Sequence, residues 1–145
     1  MFGRFFGAVA VGLMAGNFLS GRFGPRLGLD RTILCGTSLG AVAGLTMAGM
    51  AWSGVLTLPS VIVPMFCFAV GLGLTLPNGA AGAIGPFPRM AGLAAAVLGF
   101  IQLTGSAVYS IAVGHLYDGT ARPMTTAIAL AGTLACLCFW RLRGF

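Results

Sequence analysis

Residues 71–100 read GLGLTLPNGAAGAIGPFPRMAGLAAAVLGF: glycine and proline recur through an apolar stretch with one charge, Arg89, before an alanine-rich run resumes. In water this composition breaks helices and leaves apolar side chains exposed. In a bilayer it is workable, because neighbouring helices or a cavity satisfy the backbone groups that proline frees. The stretch thus decides between a soluble loop and a pair of membrane helices.

The flanking sequence sides with the membrane. Of the 145 residues, 58% are hydrophobic and 7% charged, and the mean hydropathy is +1.00, which leaves too little polar surface for a soluble domain of this length. Arg31 and Arg89 bracket 57 uncharged residues, room for two crossings and a turn at about 20 residues per spanning helix. Phe5 to Gly21, Met90 to Tyr117 and Pro123 to Trp140 are also uncharged, each near or above the roughly 17 residues a crossing needs. We expect an all-α transmembrane chain over residues 1–145, with five spans at 5–21, 32–52, 60–84, 91–115 and 124–140. Pro64, Gly71, Gly73 and Pro77 predict that the third span is bent or broken. The apolar N-terminal run could serve as a secretory leader, but it continues through GNFLSGRFG into a basic loop and reads as a retained span.

All eight basic residues are arginine and the net charge is +6. A nucleic-acid surface would cluster them on one solvated element; here they mark helix ends, so no nucleic-acid partner is expected. If the spans alternate, the loop Gly21 to Arg31 (Arg22, Arg26, Arg31), the loop Gly85 to Ala91 (Arg89) and the tail (Arg141, Arg143) share one side. Arg4 and Arg122 take the other. Six against two sets the N-terminus outside and the C-terminus in the cytoplasm.

Chemistry-bearing motifs are sparse. Cys35, Cys67, Cys136 and Cys138 fall inside spans and read as small buried hydrophobes rather than a disulfide framework or metal site. Gly79, Gly82 and Gly85 imitate a dinucleotide fingerprint, but no strand precedes them. No catalytic constellation, cofactor motif or metal spacing occurs, so neither an enzyme nor a cofactor is expected. Gly12 and Gly16, then Gly36, Gly40 and Gly44, recur every four residues and line helix faces suited to close helix packing. Gln102, Ser106 and Tyr109 recur at i, i+4 and i+7, a polar stripe that should face protein or water. It suits interhelical hydrogen bonding or the lining of a substrate path. Asn78 follows Pro77, where its amide can cap freed backbone groups. His115, beside Tyr117 and Asp118, reads as interfacial.

The run GLGLTLPNGAAGAIGPFPRMAGLAAAVLGFIQ, followed by GHLYDGTARPM, resembles the last three helices of the major facilitator superfamily, and within it the Bcr/CflA drug-resistance branch. The resemblance rests on Pro77 and Asn78, the Pro86-Phe87-Pro88-Arg89 loop, Ala91, Gly92 and Ala94 to Ala96. NFLSGRFGPRLG is similar to the degenerate second copy of that superfamily's cytoplasmic signature, with Arg22, Gly24 and Arg26 at its arginine, glycine and basic positions. Gly21 stands where an aspartate is usual and Asn17 where the leading glycine is, which argues against a charge-locked gate there.

The resemblance implies that the spans are helices eight to twelve of a twelve-helix transporter in the bacterial inner membrane. It implies export of drug-like small molecules by alternating access, with proton antiport in the intact parent. Asn78, Gln102, Ser106 and Tyr109 are then candidates to line the substrate path. Asp30 and Asp118 lie in loops, so no acidic group for coupling is expected at membrane depth. The expected partners are a small-molecule substrate, the lipid bilayer and an N-terminal transporter half, without which this piece should be inactive. The competing expectation is a small multi-span scaffold that binds another membrane protein through its glycine faces.

Overall fold

The computed structural model describes residues 2–54, 58–116, 119, 120 and 122–143, apart from the side chains of 2–6, 25, 58–60, 142 and 143. Among the described residues five α-helices follow one another: α1 Phe2–Leu27, α2 Leu29–Trp52, α3 Leu58–Ile84, α4 Ala91–His115 and α5 Arg122–Arg143. A 3-10 turn, Pro88–Met90, leads into α4. No strand occurs among the described residues. Leu29–Trp52, Val61–Ile84, Pro88–His115 and Arg122–Arg141 are long and apolar enough to cross a membrane. The shortest, at 20 residues, reaches about 30 Å at about 1.5 Å per residue, the thickness of the hydrocarbon layer. The chain is an all-α integral membrane protein; α1, which contains the stretch 5–21, is its fifth helix.

Glycine sets how closely the helices meet. α1 runs parallel to α3: Gly12 faces Phe66 and Ala69, Gly16 faces Val70 and Gly73, and Gly24 faces Asn78. α2 runs antiparallel to α3, with Gly36 opposite Gly71 and Thr75, and Gly40 beside Phe68. Further along the same glycine row of α2, Gly44 meets Ala129 of α5, and Gly132 of α5 meets Gly40 and Ala41. A Cβ at Gly73 would stand 2.6 Å from the Leu13 carbonyl oxygen, and one at Gly71 2.6 Å from that of Gly36. Both distances are below any real contact, so only glycine permits these backbone-to-backbone approaches. Between apolar surfaces already in lipid, such van der Waals fit is what holds helices together.

Hydroxyls within the helices turn back on their own backbone. Thr32, Thr37, Thr75, Thr126 and Thr133 each donate to the carbonyl four residues earlier at 2.8–2.9 Å, which removes an unsatisfied donor from an apolar setting. The buried core is correspondingly made of small residues, including Ala41, Ala43, Ala51, Ala69 and Ala129, with Met47 and Ile33.

Three expectations are corrected. First, of the bend or break expected in the third span, the break is absent: α3 is one continuous helix with Pro64 and Pro77 inside it. Side-chain donors from Thr75 to the Gly71 carbonyl and from Asn78 to the Leu74 carbonyl support the backbone around Pro77, and leaving the helix in lipid would expose more groups than proline frees. Second, the expected loop Gly21 to Arg31 is helical except at Gly28. Gly28 has φ 83 and ψ 157, a region open essentially to glycine alone. Its N–H donates to Gly24 at 3.0 Å, and its carbonyl accepts from the Thr32 N–H at 3.2 Å and hydroxyl at 2.9 Å. One residue therefore reverses the chain. Third, none of the four free cysteines is buried: Cys35 and Cys138 are exposed on α2 and α5, and Cys67 and Cys136 half-buried. A thiol at such a position is apolar enough to face lipid as readily as protein.

Candidate functional site

The antiparallel order gives the bundle two unlike ends. Arg22 and Arg26 on the last turns of α1, Arg31 on the first turn of α2, Arg89 in the 3-10 turn and Arg141 near the end of α5 share one end, all exposed. At the other end Arg122 lies over the Trp52 ring, 5.6 Å from its centroid, an attraction of about 0.5–1 kcal/mol at an exposed site. His115 closes α4 at that end and is exposed; Tyr117 and Asp118 lie outside the described residues. Gly24 is half-buried, its face turned to the Oδ1 of the Asn78 side chain.

Helix α4 carries the polar stripe and has no buried residue. Gln102 is exposed, and the Ser106 hydroxyl donates to the Leu103 carbonyl at 2.9 Å within its own helix. Tyr109 reaches a neighbour, its hydroxyl donating to the Ala127 carbonyl of α5. The stripe therefore ties α4 to α5 at one point and is open at the other two. On the adjoining face, Phe87, Met90, Leu93, Val97 and Ile101 line an open apolar groove of about 350 Å³ against Ala83 of α3. Along α4 an apolar trough, ending at Ile101, is thus followed by a short polar stretch that begins at Gln102.

Asn78 is placed differently. It is 8% exposed, and its Nδ2 donates to the Ser20 hydroxyl of α1 at 2.6 Å and to the Leu74 carbonyl at 2.7 Å. The amide is occupied by protein groups between α1 and α3.

Among curated proteins the chain is similar to Multidrug resistance protein D of Escherichia coli (strain K12), with 34% identity over 98 residues, 68% of this chain. The chain belongs to the drug-efflux transporters of the major facilitator superfamily. The matched stretch spans 25% of the relative's length. No family model matches, and no solved structure matches.

The sequence reading missed Ser20, the partner of Asn78, and the far sides of the glycine contacts. Ser20 and Asn78 are 58 residues apart, and a lone serine beside a glycine carries no local signal. Gly71 and Gly73 suggested a broken helix. Their spacing of two instead turns them to opposite sides of α3, Gly71 to α2 and Gly73 to α1.

Proposed function

We propose that the chain forms part of the C-terminal half of a drug-efflux transporter, its five helices acting as spans eight to twelve. The observation that carries this is the 34% identity to a multidrug resistance protein over 68% of the chain. In this reading two transporter halves rock about a midplane site and expose it alternately to the two sides of the membrane. α4 supplies a wall of that site. Its apolar groove receives the body of a drug-like molecule, and Gln102, Ser106 and Tyr109 offer it hydrogen-bonding groups. Asn78, occupied between α1 and α3, braces the wall instead of lining it.

The arginine-rich end faces the cytoplasm of a bacterium's inner membrane, consistent with the positive-inside bias. Asp30 sits in the first turn of α2 at that same end, so the acidic group for proton antiport belongs to the rest of the transporter. The unburied α4 is then the surface that meets the N-terminal half.

Drug sensitivity tests the reading. In a hypersensitive bacterium the chain alone should leave ethidium resistance at the vector level. A chimaera in which the chain supplies the last five spans of a family transporter should raise it. A chimaera that reaches the membrane at wild-type abundance and confers nothing would overturn the proposal.

A further inference from the structure

Pro77 lacks an N–H, so the Gly73 carbonyl loses its helical donor at that step of α3. At the next residue the Asn78 amide bonds the Leu74 carbonyl at 2.7 Å and, at the same time, the Ser20 hydroxyl of α1 at 2.6 Å. Both Ser20, 6% exposed, and Asn78 are buried. Before Pro77, α1 and α3 are held backbone to backbone at Gly12, Gly16 and Gly73. Beyond it the glycines turn away from α1: a Cβ at Gly79 would meet nothing within 4 Å, and one at Gly82 would meet Leu29 of α2, while Gly24 of α1 faces the Asn78 side chain. Past the proline step, the Asn78–Ser20 hydrogen bond is thus a direct polar tie between the end of α3 and α1.

We infer that Asn78 is a latch that fixes the angle of α3 at Pro77 to α1. With the bridge made, α1 and the tail of α3 move as one body; with it broken, the tail pivots while the glycine-packed part stays in place. The latch is a property of the bundle, independent of whether the chain moves drugs. From Pro77 to Ile84 the lever is about 10 Å at about 1.5 Å per residue. A change of bend of about 20°, the size of an ordinary proline kink, displaces its end by about 3–4 Å.

Spin-label distances on the full chain in lipid nanodiscs test this on a background free of the four cysteines. Arg26→Cys with Ala83→Cys reports the tail of α3 against α1, and Val11→Cys with Val63→Cys the packed end; all four positions are exposed. Ser20→Ala removes only the interhelical bond, whereas Asn78→Leu removes both. Each should add a component shifted by about 3–4 Å at 26/83, the displacement of that lever, and leave 11/63 unchanged. No shift at 26/83, or equal broadening at both pairs, overturns the latch. So does a shift with Asn78→Leu alone, which would trace to the Leu74 bond or to leucine's bulk.

Discussion

Gly16→Ala is the sharpest probe of how these helices are held. A Cβ at Gly16 would overlap the Val70 carbonyl oxygen and stand 2.9 Å from the Gly73 Cα and 3.1 Å from the Val70 carbonyl carbon. Ordinary contact begins at 3.4 Å, so α1 and α3 must part by between about 0.5 and 1 Å, a gap that forfeits about a quarter to a half of each van der Waals contact. The struck atoms are backbone, which cannot rotate aside. Overpacking of this kind costs about 1–3 kcal/mol, against which alanine returns about 1 kcal/mol of helix propensity. Gly99→Ala on α4 isolates that second term, since nothing lies within 4 Å of its Cβ position. The difference between the two variants should be about 1–3 kcal/mol in favour of Gly99→Ala, read as the shift in SDS mole fraction at half-unfolding in mixed micelles. Equal midpoints would refute the claim that α1 and α3 meet backbone to backbone.

Other outcomes follow from the same geometry. Gly28→Ala places a side chain in a backbone region open essentially to glycine, and should lower stability by about 1–3 kcal/mol in the same titration; an unchanged midpoint would contradict the one-residue turn. Single cysteines at Gly28 and Thr120 on a cysteine-free background should divide by side, with only Thr120 reached by an impermeant reagent from the periplasm. Labelling of Gly28 instead would reverse the orientation. In a complete transporter carrying this chain, Gln102→Ala should change which drugs are exported at matched abundance. If the stripe only braces helices, selectivity would hold and stability would fall by up to about 1–2 kcal/mol.

The sequence disclosed the helices because length and hydropathy fix them: each uncharged run had to be long enough to cross, and a helix occupies each one. It misjudged Gly21 to Leu27, where glycine and arginine suggested a loop. Arginines on the last turns of a helix suit its dipole and reach water along their stems, so α1 continues to Leu27 and Gly28 alone turns the chain. The four-residue glycine spacing was visible on α1 and α2, but which helix each face meets depends on three-dimensional order. Asn78 stood out as a polar group at a proline. That its partner is Ser20 could not be read locally, because no periodicity links residues on two different helices. The stripe on α4 was legible by spacing, yet Tyr109 alone reaches another helix, since α4 packs so sparsely on the rest.

Transport by purified protein tests the account most directly. Proteoliposomes loaded with ethidium and carrying a proton gradient would hold either the 145-residue chain alone or the chain fused behind the N-terminal spans of a family transporter. The account predicts gradient-dependent movement of dye only in the fused form, because one wall cannot enclose a midplane site. Gradient-driven movement by the chain alone, at a rate matching the fusion, would contradict it.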